Sequence, residues 1–132
     1  MKTLEDAKSE GVLENNIYNA DCLEVMRLMK DKCVDLVVTS PPYDNLRDYE
    51  GYSFQFERTA KELLRVVKQG GVVVWVIGDS CKDGSETGSS FRQALYFKEL
   101  GFNIHDTMIY AKLNPMPLNG NRYENAFEYM FV

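Results

Sequence analysis

Four consecutive residues, Ser40, Pro41, Pro42 and Tyr43, place hydrogen-bond acceptors beside an aromatic ring. Proline lacks a backbone N–H, so this stretch presents carbonyl oxygens, and the serine hydroxyl can also accept a hydrogen bond. Acceptors next to an aromatic face suit a planar heterocycle that carries an amino group, because the rings stack while the acceptors hold the amine N–H groups. We therefore interpret these four residues as a candidate binding site for such a ligand.

The segment that precedes this motif, Val34–Thr39, is a run of β-branched and apolar residues. Such a run predicts a strand buried in the centre of a sheet, and the two prolines that follow would end it. Open α/β sheets bind ligands at the carboxyl ends of their strands. The motif therefore lies where a ligand site is expected.

The rest of the chain alternates strand-like and helix-like patterns. We predict further strands at residues 16–20, 72–77, 102–112 and 126–132. We predict helices at residues 22–29, 56–67 and from Ser89 or Ser90 to 100, with one of these two serines as the cap of the third helix. Gly70-Gly71 is predicted to end the second helix with a left-handed cap, and Gly101 to end the third. This alternation is typical of an α/β fold with a largely parallel sheet and helices on both faces.

Two aspartates stand next to predicted elements. Asp21 comes directly before the first predicted helix, where it could cap the helix, contact a ligand, or do both. Asp79 follows the strand at residues 72–77, and we interpret it as a turn residue rather than as part of a pocket. Trp75, inside that strand, is predicted to lie in the core.

The composition predicts one globular domain, because 45% of the 132 residues are hydrophobic. The formal net charge of −5 argues against nonspecific binding of polyanions by this chain alone. The basic residues at the end of the second predicted helix are interpreted as its solvated face: Lys61, Arg65 and Lys68. No apolar run approaches the roughly 20 residues that cross a bilayer, and no signal peptide is recognisable, which favours a cytoplasmic protein without membrane contact.

The cysteines are odd in number and widely spaced, at Cys22, Cys33 and Cys81. Without a Cys-x-x-Cys pair, they are interpreted as reduced structural thiols. The single histidine, His105, is interpreted as structural, because one histidine and scattered cysteines cannot build a zinc site. No metal is therefore expected.

These blocks, in this order, resemble the amino-terminal part of the amino-methylating DNA methyltransferases, which methylate cytosine N4 or adenine N6 with S-adenosylmethionine. The catalytic motif of that family, Asp/Asn/Ser-Pro-Pro-Tyr/Phe, is matched by residues 40–43. The resemblance also covers residues 17–22, 70–74, 114–115 and 122–125. It implies a Rossmann-like methyltransferase fold with the catalytic motif placed before the glycine-rich cofactor motif.

The resemblance also implies roles for individual residues. A target base flipped out of double-stranded DNA would be held at its amine by Ser40 and the Pro41 carbonyl and stacked on Tyr43. The S-adenosylmethionine site would include Asp21, Cys22 and Ser40. Candidate substrate-binding residues are Asn45, Arg47, Asn114 and Arg122. Serine before Pro-Pro-Tyr favours cytosine N4 over adenine N6.

The glycine-rich Phe-x-Gly-x-Gly motif of the family does not occur in this sequence. We therefore interpret residues 1–132 as the catalytic portion of an incomplete methyltransferase domain, with a homo-oligomer or a complementing carboxyl-terminal half as expected partners. Two alternatives stay open: a methyltransferase that acts on RNA or another planar amine, and a non-catalytic fragment or subunit that binds DNA or a partner chain.

Overall fold

The computed structural model describes residues 1–43, 53–115 and 126–132. The predicted substrate-binding residues Asn45, Arg47 and Arg122 lie outside these ranges. The helices are α1 (Leu4–Glu10), α2 (Cys22–Leu28), α3 (Phe56–Val66) and α4 (Ser89–Leu100). The strands are β1 (Val34–Thr39), β2 (Val67–Ile77), β3 (Cys81–Lys82), β4 (Ser85–Glu86), β5 (Thr107–Ala111) and β6 (Phe127–Phe131).

The main sheet has the order β1-β2-β6-β5, and β3 and β4 form a separate hairpin. The predicted α/β alternation is therefore present, but the largely parallel sheet is wrong for its carboxyl-terminal half. Strand β6 runs antiparallel to both β2 and β5. A parallel connection needs a crossover, usually a helix, and the Pro- and Asn-containing sequence between β5 and β6 has no helical periodicity.

Strand β1 has the predicted bounds, but the prediction that it is central and buried is wrong. It is the first strand of the sheet order, and Leu36 and Val38 are 57% and 66% exposed. A continuous apolar run predicts a strand without saying which neighbours cover it. The predicted strand at residues 16–20 is also wrong, because only Tyr18 forms an isolated bridge, with Lys2.

The chain divides into two compact units, which are described separately. The first unit comprises residues 1–36 and 55–72, and the second comprises residues 37–54 and 73–132. Within the described residues, no helix is long and apolar enough to cross a membrane.

Arg65 joins the two helices α2 and α3 of the first unit. Its guanidinium donates at 2.6 Å to the carbonyl of Met26, in the last turn of α2, and at 2.9 Å to the carbonyl of Met29, directly after that helix. It also pairs with Glu62 and Asp31, each at 2.6 Å, and the two carboxylates raise its pKa. The interpretation of Arg65 as part of a solvated face is therefore wrong: the side chain is a half-buried connection between helices.

The prediction that the glycine pair at residues 70–71 ends α3 is wrong. The helix ends at Val66, and Gly70 lies inside β2 with a φ of 77°. A β-carbon on Gly71 would lie 2.8 Å from Val67 Cγ1 and 3.0 Å from the Asp35 carbonyl oxygen. Gly71 is therefore required by the close approach of these two strand segments.

The core of the second unit forms around Trp75, which is 2% exposed, as predicted. Its ring meets Phe97 of α4 edge-on at a centroid distance of 5.1 Å. The indole N–H donates to the Gln93 side chain at 2.9 Å, so the polar atom of this buried ring is satisfied. Helix α4 begins at Ser89 and ends before Gly101, as predicted, and the φ of 110° at Gly101 lies in the left-handed region.

Replacing Arg65 with lysine should destabilise the protein by about 1–2 kcal/mol, because lysine keeps the charge but cannot make the forked contacts. The free energy of unfolding in urea measures this loss. Arg58→Lys is the matched control, since Arg58 lies on the same helix and is exposed. Equal effects of the two substitutions would contradict a connecting role for Arg65.

Candidate active site

The motif at residues 40–43 follows β1 directly and lies in the second unit. Ser40 is exposed, Pro41 is buried, and Pro42 and Tyr43 are half-buried. Of these four residues, the serine is therefore the one most open to solvent at the carboxyl end of the strand. This is the strand end at which the sequence predicted a ligand site.

A chain of hydrogen bonds begins at Ser40 and ends at a lysine. The Ser40 Oγ lies 2.5 Å from the Tyr43 hydroxyl oxygen. The Tyr43 hydroxyl donates to Glu128 Oε2 at 2.8 Å, and Glu128 Oε1 pairs with the Lys112 ammonium at 2.8 Å. Glu128 is in β6, and Lys112 directly follows β5.

The direction of these hydrogen bonds follows from the number of hydrogens available. A carboxylate has no hydrogen to donate, so Tyr43 gives its single hydroxyl hydrogen to Glu128. The Tyr43 oxygen then acts as the acceptor toward Ser40, and Ser40 is the donor. The Ser40 hydrogen is therefore directed toward Tyr43, and the lone pairs of its oxygen point elsewhere.

Glu128 reaches the motif because β6 is antiparallel to β2. In this register Ile77 pairs with Tyr129, so Gly78, directly after β2, lies next to Glu128. A β-carbon on Gly78 would be 3.6 Å from both the Glu128 Cγ and the Tyr43 ring. Sequence reasoning missed Glu128, although a charged residue inside an otherwise apolar strand was a signal for it.

Asp21, in the first unit, caps helix α2 as the sequence suggested. Its Oδ1 accepts from the backbone N–H of Leu23 at 2.8 Å and of Glu24 at 3.4 Å. The neighbouring residue Cys22 is exposed overall, but its thiol group is partly desolvated. This desolvation raises the pKa of the thiol, and the negative charge of Asp21 raises that pKa further. The ligand role predicted for Asp21 and Cys22 stays a prediction.

Asp79 organises the start of helix α4. Its carboxylate accepts hydrogen bonds from the backbone N–H of Ser90 at 2.9 Å, from the Ser90 hydroxyl, and from the Thr87 hydroxyl at 3.3 Å. The predicted capping serine is wrong, because Gly88 is the N-cap and Ser89 and Ser90 are buried in the first turn. These contacts agree with a structural role for Asp79.

The structure thus brings Ser40 and Tyr43 together and places Asp21 and Cys22 in the other unit. Asn114 is exposed and comes two residues after Lys112, the last member of the hydrogen-bond chain. His105 is exposed and pairs with Asp106 at 2.7 Å. Among the residues that the structure describes, no three potential metal ligands form a group.

A family model described as DNA methylase, for adenine-N6 and cytosine-N4 enzymes, matches residues 34–132. The orphan methyltransferase M.BamHII of Bacillus amyloliquefaciens is 69% identical to this chain over 102 residues. That alignment covers 77% of this chain and 38% of M.BamHII. The chain thus spans about two fifths of the length of this relative.

Solved methyltransferase structures share the fold. The cytosine-N4-specific PvuII DNA methyltransferase superposes with a TM-score of 0.71 at 21% identity, covering 86% of this chain and 46% of that chain. The putative DNA modification methylase TTHA0409 of Thermus thermophilus, solved in complex with S-adenosyl-L-methionine, gives a TM-score of 0.66 at 26% identity, covering 85% and 52%. The methyltransferase fold expected from the sequence is therefore confirmed.

The raised pKa of Cys22 should slow its alkylation, because less thiolate is present at a given pH and the thiolate is the nucleophile. The test uses a variant in which Cys33 and Cys81 are replaced by serine. In this variant, iodoacetamide at pH 8 should modify Cys22 more slowly in the folded protein than in the protein unfolded by urea. Mass spectrometry measures both rates. Equal rates would contradict the desolvation of this thiol.

Proposed function

The chain belongs to the N6/N4 DNA methylase family, and we propose that the whole protein transfers a methyl group from S-adenosylmethionine to an exocyclic amine of a DNA base. Residues 1–132 are its catalytic portion. The observation that carries this proposal is the hydroxyl group of the exposed Ser40, whose hydrogen is directed toward Tyr43. Family membership is established by the match over residues 34–132, while the donor, the target atom and the site residues are part of the proposal.

Ser40, Pro41 and Pro42 contribute hydrogen-bond acceptors at the end of β1. Pro41 and Pro42 have no backbone N–H, and the Ser40 hydrogen is used within the protein. An exocyclic amine supplies N–H donors and is complementary to such a surface. The same acceptors are compatible with a positively charged sulfonium group, so the residues present fit both reactants.

The reaction is a direct displacement that needs no protein nucleophile. Bound S-adenosylmethionine supplies a methyl group on a positively charged sulfur. Ser40 Oγ and the Pro41 carbonyl hold the amine so that its lone pair faces this methyl group. As the N–C bond forms, the C–S bond breaks with its electron pair on sulfur, and one amine proton leaves to solvent. Positioning of the two reactants supplies the rate enhancement.

Tyr43 is proposed to stack on the flipped base. The Tyr43 ring is held at its hydroxyl by Glu128 and lies against the backbone at Gly78. A ring that is already immobilised loses little conformational freedom when a base stacks on it. The contacts of the free protein thus prepare this side chain for the base.

Asp21 and Cys22 are proposed to contact the adenosine part of the cofactor. The Asp21 carboxylate caps α2 through its Oδ1, and a carboxylate is an acceptor suited to a hydroxyl or amine of a ligand. Cys22, with its raised pKa, adds a neutral thiol beside that carboxylate.

We further propose double-stranded DNA as the substrate, with cytosine N4 as the favoured target atom. Serine at position 40 supports this preference through the family resemblance. Asn45, Arg47, Asn114 and Arg122 are the proposed contacts to the flipped base or the DNA backbone. A cytoplasmic location is also part of the proposal, because the similar methyltransferase M.BamHII is a bacterial protein.

Ser40→Ala in the full-length protein should lower kcat for DNA methylation by about 100-fold, because the target amine loses an acceptor that orients it. Mass analysis of nucleosides from the treated DNA identifies the product, expected to be N4-methylcytosine. Ser85→Ala is the control, since Ser85 is an exposed hairpin serine. Methylation of RNA alone, or none by the wild type on any DNA tested, would contradict the proposal.

Asp21→Ser should weaken S-adenosylmethionine binding about 10-fold while leaving the unfolding free energy almost unchanged, because serine caps helices well but lacks the carboxylate. Asp21→Ala should lose both binding and about 1 kcal/mol of stability. Calorimetric titration and urea unfolding measure the two quantities. If Asp21→Ser binds the cofactor like the wild type, Asp21 is only a capping residue.

A further inference from the structure

We propose that Glu128 is a positioning residue that makes Ser40 act as an acceptor, through Tyr43. This inference rests on the proposed methyl transfer to an amine, which gives the orientation of the serine hydroxyl its importance. It assigns a role in the reaction to a residue 88 positions after Ser40 (128 − 40), on a different strand of the sheet.

A serine hydroxyl can present either its hydrogen or its lone pairs to a ligand, because the C–O bond rotates among staggered positions. If the hydrogen faced an incoming amine, it would meet another N–H or compete for the lone pair that attacks the methyl group. The hydrogen bond to Tyr43 gives that hydrogen a fixed direction. The oxygen lone pairs then remain for the amine.

Tyr43 can accept from Ser40 only because its own hydrogen goes to Glu128. The relevant distances are 2.5 Å from Ser40 Oγ to the Tyr43 oxygen and 2.8 Å from that oxygen to Glu128 Oε2. Phenylalanine, which the family motif permits at this position, could not transmit the effect. Here the tyrosine hydroxyl links serine and carboxylate.

Lys112 determines which Glu128 oxygen faces the tyrosine. Its ammonium holds Oε1 at 2.8 Å, and the Glu128 and Lys112 side chains are only 18% and 32% exposed. The ion pair is therefore partly shielded from solvent, and Oε2 is left as the acceptor for Tyr43.

Glu128→Gln should reverse this arrangement with little change in shape. The Lys112 ammonium will take the amide oxygen, since that is the only acceptor of the new side chain. The amide NH₂ then faces the Tyr43 oxygen as a donor. Tyr43 will give its hydrogen to Ser40, so the serine hydrogen is free to point toward the substrate.

The kinetic test uses the full-length protein. Glu128→Gln should lower kcat for DNA methylation about 10- to 100-fold, the effect of a charge-assisted hydrogen bond, with KM for S-adenosylmethionine unchanged. Tyr43→Phe should lower kcat similarly, and Glu128→Gln added to Tyr43→Phe should cause no further loss. Additive losses in the double variant, or full activity of either single variant, would overturn the inference. Glu86→Gln, at an exposed hairpin glutamate, is the control.

A second measurement does not depend on catalysis. The ¹³Cζ resonance of labelled Tyr43 moves downfield when its hydroxyl donates to a carboxylate and upfield when its oxygen accepts a hydrogen bond. Glu128→Gln should therefore shift this resonance upfield, and Ser40→Ala should shift it downfield. Shifts in the same direction, or none, would overturn the inference even if the wild type is active. Opposite shifts in a protein that methylates no substrate would support the hydrogen-bond direction and reject the proposed function.

Discussion

A tyrosine hydroxyl carries one hydrogen, and the chemistry available at the end of β1 depends on where Tyr43 places it. Because Glu128 receives that hydrogen, Ser40 must donate to Tyr43, and the lone pairs of the Ser40 oxygen are directed away from Tyr43. The two prolines that follow bring no backbone N–H donor to the motif. Under the proposed function, a neutral serine would thereby offer a flipped base the acceptor that an aspartate would offer by its charge.

The surrounding structure can be understood as support for this one hydrogen bond. The antiparallel pairing of β2 and β6 places Glu128 beside Gly78, and the pairing of β5 and β6 aligns Glu128 with Tyr110, near Lys112. The core behind β2 is fixed by Trp75 and Phe97 of α4. Asp79 secures the amino end of that helix. In the first unit, Arg65 joins α2 and α3 independently of the motif.

Local patterns were sufficient to predict most elements and the motif itself. Short-range chemistry accounts for the bounds of β1, the helix after Asp21, the core position of Trp75 and the end of α4 at Gly101. The errors concern long-range relations. An apolar run cannot say that Leu36 will be exposed at the edge of a sheet, and spacing cannot reveal that Arg65 will turn toward α2. Glu128 escaped prediction for the same reason, because its partner is distant in sequence.

The bond between Tyr43 and Glu128 has a consequence for the folding of the molecule. It joins residues 85 positions apart, so a large loop must close before it forms, and loop closure costs conformational entropy. The pairing of β2 with β6 must be in register at the same time. Contacts of such high sequence separation form slowly. The hydroxyl of Ser40 therefore acquires its direction late, after local helices and turns exist, and a chain still emerging from the ribosome has the motif before it has the acceptor.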